Sequence, residues 1–255
     1  MNNLTSQQAA LKERFVEERG YWLEAFDGLL ALDESFFEAY LNFSTVPWKQ
    51  GFFEPMVKEL IYIAVDAATT HLYEPGLRVH LRRALEHGAT KEELMEVSEC
   101  ISPLGAHTLT MGVPVLWEEL IAAGKAEAPE ELTPRQEELK SQFIEARGYW
   151  ADFWTGLLTL DEQFFEAYLD FSSVPWRQGH LEPKVKELIY IAIDSVTTHL
   201  YEEGLRAHIR NALKYGASKE EIMEVYELVS EVGIHTVTMG VPALLEELDA
   251  VSDRG

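Results

Sequence analysis

KELIYIAVDAATTHLYEPGLRVHLRRAL, residues 58–85, returns 128 residues later as KELIYIAIDSVTTHLYEEGLRAHIRNAL, residues 186–213. Working outward, the same offset overlays the chain on itself without a gap from Phe15/Phe143 to Leu120/Leu248. RGYW at 19–22 recurs at 147–150, and LDESFFEAYLNFSTVPW at 32–48 recurs as LDEQFFEAYLDFSSVPW at 160–176. Self-similarity at one fixed offset means two copies of one fold. Between them, GKAEAPEELTP at 124–134 is rich in Pro, Glu and Ala and lacks an apolar face, as a linker does. The expected organisation is a first repeat over 1–123, a linker over 124–134 and a second repeat over 135–255.

Each repeat reads as helices throughout. Asp33 is placed to cap DESFFEAYLNF, whose Phe36, Phe37, Tyr40 and Leu41 fall at helical spacing. Pro55 suits a first helical turn and opens a long helix through Leu60, Ile61, Ala64 and Val65, taken as 54–71 and its copy 182–199. Tyr73–Gly76 should break it, and the next helix should carry His80 and stop at Gly88. Thr90 to Glu93 and Ser218 to Glu221 are capping boxes for a further helix, and a last helix carries Met111 to Leu120. Nothing alternates as a strand would. The fold class is all-α, and the repeats are expected to face each other about a pseudo-two-fold axis with 54–71 and 182–199 near the interface.

Composition excludes several roles. Lys and Arg number 21 against 44 Asp and Glu, a net charge of −23, which repels nucleic-acid phosphates and anionic lipid. One cysteine, Cys100, rules out a disulfide framework or a C-x-x-C redox pair, and its partner in the other repeat is Leu228, so it reads as a buried apolar residue. No secretory leader or bilayer-spanning apolar run is evident, so a cytoplasmic chain is expected. The expected partner is a small molecule, with neither nucleic acid nor membrane.

Six of the eight histidines fall in register: His71/His199, His80/His208 and His107/His235. Glu59 and Asp66 lie seven residues apart on an otherwise apolar helix, hence on one face, and a buried carboxylate must be paired or protonated. His80 on the following helix is a natural partner for Glu59, which would raise its pKa and orient its ring as a general acid/base. Glu187 and His208 repeat the pair. His71 lies about 120° from Glu59 on an ideal wheel, so only unwinding at the helix end brings it, and His199, to the same pocket. Trp48, Trp176, Tyr73 and Tyr201 are candidate pocket walls, with His107 and His235 beside them. Lys49 and Arg177, after Pro-Trp, are candidate anchors for a substrate carboxylate. Tyr21, Trp22, Phe36 and Phe37 read more simply as core, and Arg78, Arg82, Arg206 and Arg210 as surface ion-pair formers. Alternatively, Glu59, His71, His80 and His107 together offer three imidazoles and a carboxylate to iron, manganese or zinc. No cofactor is otherwise expected.

Lys58-Glu59-Leu60-Ile61, the small-residue helix, the broken turn, the helix of His80 and Gly88-Ala89-Thr90-Lys91-Glu92-Glu93 together resemble the carboxymuconolactone decarboxylase family, which shares its helical fold with the alkylhydroperoxidase D proteins. The resemblance covers 54–120 and 182–248. It implies two tandem copies of an alkylhydroperoxidase D-like bundle and a ring-like homo-oligomer. In the peroxidase branch a C-x-x-C pair lies between the glutamate matched by Glu59 and the histidine matched by His80. His71 and Glu74 occupy the cysteine positions here, so thiol peroxidase chemistry is disfavoured. The resemblance therefore implies a lyase acting on a small carboxylated lactone or aromatic ring-cleavage product by His/Glu acid–base catalysis. A metal-dependent oxidoreductase and a non-catalytic small-molecule-binding scaffold are the alternatives.

Overall fold

The structure is a computed structural model describing residues 4–127 and 131–252; residues 128–130 of the expected linker lie outside the described residues. The first repeat comprises α1 (Ser6–Arg19), α2 (Ala25–Leu32), α3 (Glu34–Ser44), α4 (Val46–Gln50), α5 (Pro55–Ala67), α6 (Glu74–Glu86), α7 (Lys91–Ile101), a 3-10 turn (Ser102–Ala106) and α8 (His107–Ala122). The second follows the same order: α9 (Pro134–Arg147), α10 (Asp152–Leu160), α11 (Glu162–Ser172), α12 (Val174–Gln178), α13 (Pro183–Ser195), α14 (Glu202–Lys214), α15 (Lys219–Ser230), a 3-10 turn (Glu231–Ile234) and α16 (His235–Ser252). No strand occurs among the described residues.

The local signals operate as physical chemistry requires. Asp33 accepts from the Phe36 amide, Thr90 and Ser218 form reciprocal capping boxes, and Pro55 opens α5. Helix α5 has no exposed face over its central turns. Lys58 through Asp66 are all buried, because the helix is the centre of the molecule and is packed on every side. Its Ile61, Tyr62 and Val65 share one core with Leu188, Ile191 and Ala192 of α13, while Leu60, Ile63 and Ala64 share another with Ile189 and Ile193. The two central helices thus meet at the expected pseudo-two-fold axis. Buried ion pairs cross it symmetrically: Lys58 Nζ lies 2.9 Å from Glu224, and Lys186 Nζ lies 2.6 Å from Glu96.

Three expectations need correcting. The central helices stop at Ala67 and Ser195, not at 71 and 199, and the break precedes Gly76, which lies inside α6. The chain turns at residues 68–73 with Leu72 at φ 51°, a left-handed conformation rare for leucine, and Leu200 repeats it. The terminal helices also change sides: α8 packs on α10 of the second repeat, and α16 packs on α2 of the first. Finally, the run Lys219–Val251 is long and apolar enough by composition to cross a membrane. In the structure it divides into α15, a 3-10 turn and α16, with Glu231 in its middle ion-paired to Arg19.

Candidate active site

On α5, Glu59 and Asp66 point to one side, as the seven-residue spacing requires. Glu59 Oε2 accepts from His80 Nδ1 at 2.7 Å, with both groups buried. That bond commits Nδ1 to donating, so Nε2 carries the lone pair, and it faces Asp66 Oδ2 across 4.0 Å. Tyr62 stacks on the His80 ring at 4.4 Å and Tyr21 meets it edge-on at 5.9 Å. The turn after α5 swings His71 back, so that its Nε2 lies 3.9 Å from Asp66 Oδ1. The second repeat completes the site. His235, at the start of α16, lies 2.8 Å from His71 and 3.8 Å from Asp66, and Tyr73 stacks on its ring at 3.7 Å.

The same constellation stands around α13 with the contributions reversed. Glu187 Oε2 to His208 Nδ1 is 2.6 Å, and His208 Nε2 to Asp194 Oδ2 is 3.9 Å. His107, from the first repeat, lies 2.6 Å from His199 and 3.9 Å from Asp194, with Tyr201 4.0 Å from its ring. Because α8 crosses to the other half, His107 does not join Glu59, His71 and His80 as the sequence suggested. Each site is built from both repeats.

Burial sets the protonation states. Desolvation pushes the Asp66 carboxyl up to about 8 and that of Asp194 up to about 7. It pushes His107 and His235 down to about 3, with the neighbouring imidazole adding to the effect. His80 is also lowered by burial, with Glu59 pulling the other way, so the pair does not raise the histidine as its proximity alone implied. Asp66 Oδ2 and Asp194 Oδ2 have no hydrogen-bond partner. In the first site a protonated Asp66 therefore faces a neutral His80 in a low-dielectric pocket. Space for each carboxyl depends on Gly76 and Gly204, where a Cβ would collide with the aspartate oxygen and the neighbouring tyrosine ring.

The other candidates divide clearly. Tyr201 and His107 line a cavity of about 100 Å³ with Asp194 and His208, while Tyr73, His80 and His235 line one of about 20 Å³. His71 and His199 stand one imidazole behind these cavities. Trp48 and Trp176 are also behind them, packed on buried cations of the pocket wall. Lys49 and Arg177 are outside, ion-paired at the surface with Glu18 and Asp170; the short helix carrying them ends in solvent. Cys100 is buried and its thiol pushed up to about 12, which leaves no thiolate.

Residues assigned to core, or to nothing, enter the site. Tyr21 and Tyr149 line the cavities, as do Arg19 and Arg147 at the ends of α1 and α9. Their signal was the RGYW repeated without change. For a metal, the groups that converge are Asp66, His71 and His235, and His107, Asp194 and His199. Glu59 and His80 are instead engaged with each other.

A sequence profile described as "Carboxymuconolactone decarboxylase family" matches residues 34–108 and 162–243. A solved structure from Burkholderia xenovorans LB400, described as a "putative gamma-carboxymuconolactone decarboxylase subunit", is 46% identical; the match covers 96% of this chain and 98% of that one, with a TM-score of 0.93. Curated proteins give no match.

Proposed function

Because the chain belongs to the carboxymuconolactone decarboxylase family, we propose that it is a cytoplasmic lyase acting by proton transfer on a small carboxylated lactone or related ring-cleavage product. The observation that carries this reading is the buried Asp66 or Asp194, whose unpartnered Oδ2 lies 4.0 or 3.9 Å from the Nε2 of a Glu-held histidine. A substrate carbonyl or carboxylate oxygen can accept from the aspartic acid, whereas the Nε2 lone pair can take only an O–H. As carbon dioxide leaves, the electron pair of the breaking C–C bond passes through the ring double bond into the lactone carbonyl as a dienolate. The aspartic acid then delivers its proton to carbon and is reprotonated from solvent. The glutamate fixes the histidine's ring and tautomer, and the histidine Nε2 accepts from an O–H of the substrate or of solvent.

Incubation with γ-carboxymuconolactone in D₂O tests the reading. Carbon dioxide release with one deuterium on the ring carbon α to the lactone carbonyl is expected, lost on replacement of both Asp66 and Asp194 by Asn. Release that persists in that double variant would overturn it. The two Asp/His/His groups support a second reading, an oxidoreductase holding iron, manganese or zinc. Elemental analysis of the purified protein showing stoichiometric metal, lost in His235→Ala and His107→Ala together, would favour it.

A further inference from the structure

The pseudo-symmetry lets one site serve as the control for the other. In the first, Arg19 is buried against Trp48 and Tyr62, donates to the Ser44 carbonyl at 2.9 Å and is neutralised by Glu231 at 2.7 Å. In the second, Arg147 occupies the same cradle of Trp176 and Tyr190 and donates to the Ser172 carbonyl at 2.8 Å. The position equivalent to Glu231 is Pro103, which also lines the cavity. Arg147 is 7% exposed, and among the described residues no carboxylate lies within ion-pair distance of it; the unpartnered Nε is a feature that it shares with Arg19. A buried cation lacking a counter-anion is costly, and a guanidinium is shaped to take a carboxylate.

The walls change in the same sense. Leu23 and Val79 of the first pocket are Ala151 and Ala207 in the second, which is the roomier by about 100 Å³ to 20 Å³. At its mouth stands the exposed Arg210.

We infer that the Arg147 cavity is an organic-anion site, that it takes the carboxylate of a small monocarboxylate where Glu231 sits beside Arg19, and that each chain has one loaded site. The first site is filled by the protein's own glutamate. This deepens the reading of a carboxylated substrate given above, but binding is measured without turnover.

The full chain is titrated with acetate, levulinate and benzoate, following calorimetry and the fluorescence of the cavity tryptophans Trp150 and Trp154. At least one carboxylate should bind saturably at one site per chain, and its neutral amide should not. Arg147→Gln should weaken binding at least tenfold. So should Pro103→Glu, which supplies the missing carboxylate and does not depend on a buried arginine being lost. Absence of saturable binding by all three anions, two equal sites per chain, or undiminished binding in Pro103→Glu would overturn the inference. Binding by wild type and Asp194→Asn with no turnover by either would instead count against the proposed reaction alone.

Discussion

Asp66 and Asp194 are the residues on which the chemistry and the stability pull in opposite directions. A carboxyl raised in the folded state stabilises the fold below its unfolded value near 4, and that contribution is lost as pH climbs through about 8 for Asp66 and about 7 for Asp194. At pH 8 each aspartate is therefore a burden on the order of a few kcal/mol, which an amide would relieve. Asp194→Asn should show a higher urea midpoint than wild type at pH 8 and little difference at pH 4, while losing the chemistry of its own site; an equal gap at both values would refute the assigned protonation. His107 and His235, pushed down to about 3, act in the other sense, costing stability as pH falls from about 6.5 towards 3. Much of this was legible. The seven-residue spacing put Glu59 and Asp66 on one face, and an acid on an apolar helix had to be paired or protonated. The anion anchor was not legible. A basic residue before a helix-ending glycine ordinarily points to water, so nothing in the sequence separates Arg19 and Arg147 from surface cations, whereas Lys49 and Arg177 stand out after Pro-Trp yet lie in solvent.

At the scale of elements, the turn after each central helix decides the geometry. Ending α5 at Ala67 and passing through Leu72 at φ 51° is what turns His71 and Tyr73 back towards Asp66. No Gly, Asn or Pro marks this turn, which is why the periodicity of the helix ran on to residue 71, whereas the caps at Asp33, Thr90 and Ser218 could be read directly. Leu72 and Leu200 are each about two-thirds exposed. Leu200→Asn should therefore stabilise the fold by up to about 1 kcal/mol, since asparagine accepts the left-handed region and little burial is lost. A fall in the melting temperature would show that the conformation carries no strain. Gly204→Ala should do the reverse. Its methyl group would collide with Asp194 and Tyr201, at a cost of about 2 kcal/mol, and should disturb the Asp194–His208 spacing. Thermal melts and a substrate-free crystal structure check both changes.

Over the whole molecule, the repeats are visible in sequence but their interlocking is not, because a 128-residue offset says nothing of which copy of a helix packs on which half. The crossing of α8 and α16 makes each half incomplete. A fragment of residues 1–127 should accordingly form a homodimer in which each α8 covers its partner's α2; a folded monomer by light scattering would contradict this. We also propose that complete chains associate. Phe36 and Phe43, with their counterparts Phe164 and Phe171, present the same half-exposed aromatic face on both repeats, and a second copy of the chain would cover it. Scattering should give a multiple of 29.0 kDa, and a mass of one chain at all concentrations would dispose of that proposal. The central claim is that each site is assembled across the repeats, with His107 and His235 kept neutral by burial beside an aspartic acid whose carboxyl burial raises. Histidine ¹⁵N correlation spectra of wild type and His199→Ala test it most directly. His107, 2.6 Å from His199, should stay neutral at pH 5 in wild type and shift in the variant, while His235 and His71 hold their positions. A response at His235 in place of His107, or a protonated His107 at pH 5, would contradict the account.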